Sequence, residues 1–416
     1  MNFLKPWQKD NVLMEKMVLN IDKSTWKLTK LGDLLEDISQ RVDNPSQSGY
    51  DRFVGLDHFV SGDIKIKNWG TTENLSSSTK AFKAGDILFA RRNAYMRRAS
   101  LVDFDGCCSG DAFVLRENHD KVVPGFLAFL MNSNTVWDFA NENAAGTMSK
   151  RVKWRDLAEY EFLLPSKDQQ AQLAELLWAM DVVIEREREV LERLKMLMFK
   201  KREFIFIKGN GSKKQKLFSS YKIPEHWSVS KMSSVAQVEY GISESVANNT
   251  DPSIGWQILT GANINLDGSF DLSKKRYIEI PTNERFLLQQ GDLMFNWRSG
   301  SPEHIGKTAI FDLVGNYTYA SFILRIRCGK DLNNRYAFYL LNYLREIEFF
   351  TKNIAQQVNF KINATVFREI SIPVPPIAEQ SEIENILDLI HYQLIEVEAK
   401  ICASQALQKS LINQIF

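Results

Sequence analysis

A chain that carries its own sequence twice must fold as two related units, and that duplication constrains this 416-residue protein more than its composition does. Trp26-Lys27-Leu28-Thr29-Lys30-Leu31 recurs as Trp227-Ser228-Val229-Ser230-Lys231-Met232, with Trp and Lys at the same spacing. Gly85-Asp86-Ile87-Leu88-Phe89-Ala90-Arg91-Arg92 returns as Gly291-Asp292-Leu293-Met294-Phe295-Asn296-Trp297-Arg298. Phe113-Val114-Leu115-Arg116 matches Phe322-Ile323-Leu324-Arg325, and Leu130-Met131-Asn132 matches Leu340-Leu341-Asn342. Finally Leu164-Pro165-Ser166-Lys167-Asp168-Gln169-Gln170 lines up with Val374-Pro375-Pro376-Ile377-Ala378-Glu379-Gln380, and the offset across all five drifts only from 201 to 210 residues. Turn and core positions persist, whereas 43–51 and 243–254 share nothing. Two copies of one scaffold with different surfaces point to two related ligands.

Within each copy, short β-rich runs alternate with Gly, Asn and Asp turns: Asp86–Phe89, Ala112–Leu115, Lys307–Phe311 and Phe322–Ile326. Helical patterns follow at Pro124–Asn132 and Asn334–Leu344. After Pro165 the residues Leu173, Leu177, Met180, Ile184, Leu191, Leu194 and Met198 keep a four-three spacing, broken by Glu187 and Lys201. After Pro376 the spacing recurs at Ile383, Leu387, Ile390, Leu394, Val397 and Ile401, then shifts to Leu407, Leu411 and Ile415. Such a seam wants a partner helix, and roughly 35 residues at about 1.5 Å each make a rod of about 50 Å. The competing possibility is that each helix packs on its own domain.

The expected fold is therefore α+β: two mixed α/β domains, 26–167 and 221–377, separated by two long antiparallel coiled-coil helices, 168–207 and 378–416, with an internal pseudo-two-fold repeat. Residues 1–25 form an N-terminal segment, and 208–220 a linker whose Lys208–Lys216 stretch is polar and flexible.

The search for catalytic chemistry returns nothing. None of His58, His119, His226, His304 and His391 forms an H-E-x-x-H; there is no G-x-S-x-G and no G-x-G-x-x-G opening a helix. Gly306-Lys307-Thr308 imitates the end of a phosphate loop, but Ser301 stands where glycine is needed and Ala309-Ile310-Phe311 reads as strand. No metal site and no cofactor is expected. Cys107, Cys108, Cys328 and Cys402 form no C-x-x-C pair and read as thiols of a reducing compartment. The first twenty residues lack a signal-peptide pattern and no window of about 18 apolar residues occurs, so a cytoplasmic protein without membrane partners is expected.

Fifty-two basic against 51 acidic side chains give a net charge of +1, so any polyanion must be held by local patches. Lys80, Lys83, Arg91, Arg92, Arg97 and Arg98 face only Asp86 in their window, with Tyr95 among them and Lys65, Lys67 and Trp69 flanking. A second group is Lys150, Arg151, Lys153, Trp154 and Arg155. The second copy offers Lys274, Lys275 and Arg276, then Trp297, Arg298 and Lys307, then Asn359 and Lys361. Cations interleaved with aromatics suit a nucleic-acid surface, because Arg and Lys neutralise phosphates and Arg can grip guanine bidentately; a solvated turn is the plainer account. The helix 378–416, with six acidic and two basic residues, is a better protein-docking surface than a DNA ligand.

The doubled Trp-x-x-x-Lys, the doubled Gly-Asp-[Ile/Leu]-[Leu/Met]-Phe and the doubled Pro-x-x-x-[Glu/Gln]-Gln before a long helix resemble the specificity subunit of type I restriction–modification systems, over nearly all of 20–416. The resemblance implies two target recognition domains, each reading half of a bipartite asymmetric duplex DNA sequence. It implies that the paired helices act as a ruler and dock two adenine-N6 methyltransferase subunits, which hold the S-adenosylmethionine, with restriction subunits added in the full complex. Arg92 and Arg298, being duplicated, suit phosphate contact better than base reading. Ser166 and Gln169 depart from the Pro376 and Glu379 of the second copy. Two other classes stay open on the residues alone: a two-module coiled-coil scaffold binding protein or another polyanion, and an enzyme with an unrecognised site.

Overall fold

In the computed structural model, which describes residues 21–38, 40–218, 221–246, 249–279, 281–353 and 362–416, the Gly-Asp motif opens the central strand of a sheet in each copy. Alternation along these strands explains the burial. Ile87, Phe89, Phe113 and Leu115 face a core shared with helices, whereas Leu88, Ala112 and Val114 face a second sheet, so the strands are apolar on both sides. The same division recurs with Leu293, Phe295, Leu324 and Ile326 on one face and Met294 and Ile323 on the other.

The first compact unit comprises Met1–Val190 with Val397–Phe416. Its antiparallel four-stranded sheet has the order Leu35–Asp37, Ala112–Glu117, Ile87–Ala90, Ala99–Leu101. A five-stranded sheet backs it, in which Arg52–Val54 runs parallel to Gly106–Cys108. Lys27–Lys30 pairs antiparallel with Glu161–Leu164.

The second unit, Leu191–Glu396, repeats this plan. Its four-stranded sheet is ordered Ala236–Tyr240, Ile323–Cys328, Leu293–Asn296, Thr308–Ile310. A three-stranded sheet carries the corresponding parallel pair, Trp256–Leu259 with Tyr317–Tyr319. Ser228–Lys231 pairs with Ser371–Val374.

The duplicated polar residues are structural. Asp86, buried, takes a bidentate grip from Arg116 at 2.7 and 2.8 Å, and Asp292 takes the same grip from Arg327 at 2.8 and 2.7 Å. This overturns one sequence match: strand register pairs Leu115 with Ile87 and Ile326 with Leu293, so the partner of Arg116 is Arg327, not Arg325. A shared Phe and Arg had drawn the match two residues out of phase. Lys30 and Lys231, of the Trp-x-x-x-Lys motif, pair with Glu159 and Glu369. The Asn132 amide donates to the Ala99 and Ala128 carbonyls, and that of Asn342 to Thr308 and Phe338, tying helix to edge strand identically in both units.

The two long helices are Lys167–Phe206 and Ile377–Ile415. Each begins with a buried glutamine that fastens it to its globular part. Gln170 accepts from the Val123 amide and donates to the Pro165 carbonyl; Gln380 accepts from the Asn333 amide and donates to the carbonyls of Asp331 and Pro375. Glu379, where the first copy has Gln169, pairs with His226 at 2.8 Å. The helices contribute to both cores: Ala174 and Leu177 join Leu411, Ile412 and Ile415 in the first unit, and Met198, Ile205 and Phe206 join Ile383, Leu387 and Ile390 in the second.

Lys208–Lys216 is not the free tether its composition suggested. Asn210, at φ 50°, turns the chain through Gly209–Gly211, and Gln215–Phe218 then pairs with Tyr221–Pro224 in a hairpin. The helix end supplies the Ile207 carbonyl to the Lys222 amide, and Ile223 is buried in the core, which outweighs the polar composition. Gln380→Leu strands the Asn333 amide and two carbonyls, each orphan costing about 1–3 kcal/mol. The full chain should therefore lose several degrees of melting temperature, measured by calorimetry.

Candidate nucleic-acid interface

In the first unit, the chain reverses between Ile87–Ala90 and Ala99–Leu101 through residues 91–98, which carry four arginines and no acidic side chain. The turn is one 3-10 element, Ala94–Met96, flanked by Asn93 and Arg97 at φ 55° and 51°. Beside it runs the second cationic stretch: Asn93 donates its amide to the Lys150 carbonyl, and Val152 donates to that of Arg91. Two groups some fifty residues apart thus form one surface. Their common node is Asp111, gripped by Arg151 at 2.8 and 3.2 Å with Arg92 at 3.7 Å. The Arg151 hydrogen bond, reinforced by the charges of Arg92 and Arg91, holds the Asp111 carboxyl below the usual carboxylate range.

The other arginines brace the turn. Arg92 donates to Ser149 at 2.8 Å, Arg97 to Asn134 at 2.5 Å and Asp138 at 3.1 Å, and Arg98 to the carbonyls of Leu56 and Arg92. Arg91 lies 5.5 Å over the Phe113 ring. Lys83, Tyr95, Lys150, Lys153 and Arg155 are exposed. Lys80 is half-buried and donates to the Ala112 carbonyl, so its charge is committed inward. Lys65 sits 4.9 Å over Trp178, and Lys67 pairs with Asp63 and Glu185; both serve the junction with the first long helix. Trp69 meets Phe104 at a tilt, with Arg52 over both rings.

In the second unit the equivalent loop is 297–307. Trp297 donates its indole N–H to the Ser321 carbonyl at 2.6 Å, and the exposed Arg298 lies 5.1 Å over Phe322. Lys274 and Lys275 are exposed and Arg276 is half-buried. Lys307 leaves the set of surface cations. It is 6% exposed, and its ammonium donates to the carbonyls of Gly261 at 2.9 Å and Ile264 at 2.5 Å. Burial, aided by the Arg345 charge, lowers its pKa. The apolar neighbours that place Thr308 in a strand draw the preceding lysine inward, and they also end the resemblance to a phosphate loop. Lys361 and Asn359 lie outside the described residues.

Sequence reasoning missed Asp111, Ser149, Asn134 and Asp138, which orient the arginines. No charge pattern marks them; only the strand pairing and the helix Asn134–Glu142 bring them near. All thirteen seam residues, Leu173, Leu177, Met180, Ile184, Leu191, Leu194, Met198, Ile383, Leu387, Ile390, Leu394, Val397 and Ile401, are buried or half-buried. Among the described residues, no group of three His, Cys, Asp or Glu side chains could hold a metal ion, and no helix is long and apolar enough to cross a membrane.

Two copies of one sheet scaffold, each joined to a long helix, define a duplicated specificity-domain architecture. The chain belongs to the type I restriction modification DNA specificity domain family, whose model matches residues 23–196 and 224–404. It is similar to the type I MjaX specificity subunit of Methanocaldococcus jannaschii, 27% identical over 202 residues, covering 47% of this chain and 46% of that one. It is also similar to the type I restriction enzyme EcoDI specificity subunit of Escherichia coli, 24% identical over 160 residues, covering 37% and 35%. The matched stretches thus span less than half the length of these curated relatives. Among solved structures, the S subunit of a type I restriction–modification system from M. genitalium superposes with a TM-score of 0.57 at 12% identity, covering 96% of this chain and 97% of that one. A chain from a study of complex assembly and conformational transition in the type I R-M system gives 0.56 at 21%, covering 93% and 96%. At such identities the likeness is one of fold.

Lys307→Met should cost about 2 kcal/mol of stability, because two buried carbonyls lose their donor. Chemical denaturation of the full chain measures this.

Proposed function

We propose that this chain is the non-catalytic DNA sequence-recognition subunit of a type I restriction–modification complex, each unit reading one half of a bipartite asymmetric duplex target. The observation that carries this is a scaffold built twice with different chemistry on the same loop: four arginines and a tyrosine at 91–98, and a single arginine with a tryptophan, serines and a glycine at 297–301. A common frame with divergent loops suits two half-sites of unlike sequence, with cations positioning the backbone and other side chains specifying bases.

The long helices serve, in this proposal, as an antiparallel coiled-coil spacer with pseudo-two-fold symmetry. In support, the early residues of one helix share a core with the late residues of the other, in each unit. The first helix also carries Leu176, Val183, Val190, Leu197 and Phe204, all exposed and spaced by seven. A heptad-spaced apolar stripe on a charged helix suits helical partners, and two methyltransferase subunits are its proposed occupants. Adenine-N6 methylation, its S-adenosylmethionine and DNA cleavage by restriction subunits then belong to those partners, and the assembly works in the cytoplasm.

Co-expression with the partner methyltransferase, followed by modification-sensitive sequencing of a plasmid, should return methylated adenines in one split motif of constant gap. Methylation without such a motif overturns the proposal. One base pair added to the gap rotates one half-site by about 36° and shifts it by about 3.4 Å, so methylation of that duplex should collapse. For the Arg91→Ala/Arg92→Ala double variant, affinity should fall and the log–log salt slope should lessen by about 2, as titrations at several salt concentrations would measure.

A further inference from the structure

We propose that Tyr95, with Met96 beside it, is a stacking wedge that enters a base step of the duplex read by the first unit; this rests on the DNA-reading function proposed above. The turn that carries them is costly by construction. Among the described residues only four non-glycine positions have positive φ, and two of them, Asn93 and Arg97, bracket this turn. Neither has been relaxed to glycine, and left-handed backbone at an arginine persists only where its surroundings impose it.

Those surroundings hold every part of the turn except its tip. Ala94 is buried in the core beneath. The Asn93 amide is tied to Lys150, the Arg97 guanidinium to Asn134 and Asp138, and that of Arg98 to the Leu56 and Arg92 carbonyls. What remains outside is Tyr95 at 71% exposure and Met96 at 43%. These two neighbours in the chain leave an apolar tip open to solvent at the end of a braced turn. With Arg91 and Arg92 just before it in the chain and the Lys150 carbonyl bonded to the Asn93 amide, the pair has the makeup of a base-step wedge: an apolar tip to replace lost stacking, with cations alongside for the phosphates.

In the equivalent loop of the second unit the 3-10 turn is Pro302–His304, which carries no tyrosine or methionine and sets the exposed carboxylate of Glu303 beside His304, a poor tip for a base step lined by phosphates. The wedge therefore belongs to one half-site only, and the two halves are read by different means: one partly through the deformability of a base step, the other without it.

The test uses the reconstituted complex with its methyltransferase and duplexes of the mapped target carrying 2-aminopurine, in turn, at each adenine position of the two half-sites other than the methylated adenines, which the methyltransferase itself unstacks. Wild type should brighten 2-aminopurine at one step of one half-site beyond any change at other positions. Tyr95→Ala should abolish that brightening and weaken target binding roughly 10- to 100-fold with an unchanged salt slope, whereas Tyr95→Phe should retain both signals. An unchanged melting temperature of the Tyr95→Ala protein shows that folding is not the cause. The wedge is overturned if Tyr95→Ala leaves brightening and affinity within twofold of wild type, or if Tyr95→Phe is as weak as Tyr95→Ala, which would assign the effect to the hydroxyl. Failure of the DNA-reading function looks different: the wild-type complex would bind the mapped duplex no better than a scrambled one.

Discussion

Neither globular core of this protein is complete without both long helices. The first core is sealed by Ala174 and Leu177 from one helix and by Leu411, Ile412 and Ile415 from the other; the second by Met198, Ile205 and Phe206 together with Ile383, Leu387 and Ile390. Burial of those side chains gives each helix a part in both hydrophobic cores, so loss of either contact exposes apolar surface within that unit. Gln170 and Gln380 complete the constraint, because their amides join the first helical turn to the sheet domain through groups that have no water to fall back on.

Divergence has a clear boundary. The Asp–Arg grips, the Asn132 and Asn342 ties and the buried glutamines recur in both units because each satisfies backbone or charge inside a core, where loss is expensive. Beyond the ends of the central strands nothing need match. There the first unit places braced arginines around an apolar tip, and the second places a tryptophan held by Ser321 and an arginine over Phe322. Duplicated residues are therefore the frame, and the loops beyond it are free to differ.

The repeat, the strands at its Gly-Asp motif and both long helices were legible in the sequence, since each rests on a local periodicity or a turn residue with few alternatives. What was not legible depended on register and reach. Arg116 was matched to Arg325 because a linear alignment cannot see which residue lies opposite Asp292; strand pairing makes it Arg327. Lys307 read as a surface cation because its burial is decided by the carbonyls of Gly261 and Ile264, more than forty residues away. Lys208–Lys216 read as a tether because lysines and glycines mask an alternation that only the helix end and the core complete. The Asp111 node escaped for the same reason: one aspartate in a turn has no pattern until Arg92 and Arg151 arrive from different segments.

The two units differ in how their chain is delivered. The second is one continuous stretch, Leu191–Glu396, whereas the first needs Val397–Phe416 added to Met1–Val190, with Phe416 packed against Phe126 and Phe162. During synthesis, the unit that emerges earlier must therefore wait, unsealed, while the later one completes itself. Nascent protein would expose the open flank of its amino-terminal half over some two hundred residues of elongation, an interval in which a chaperone has something to hold.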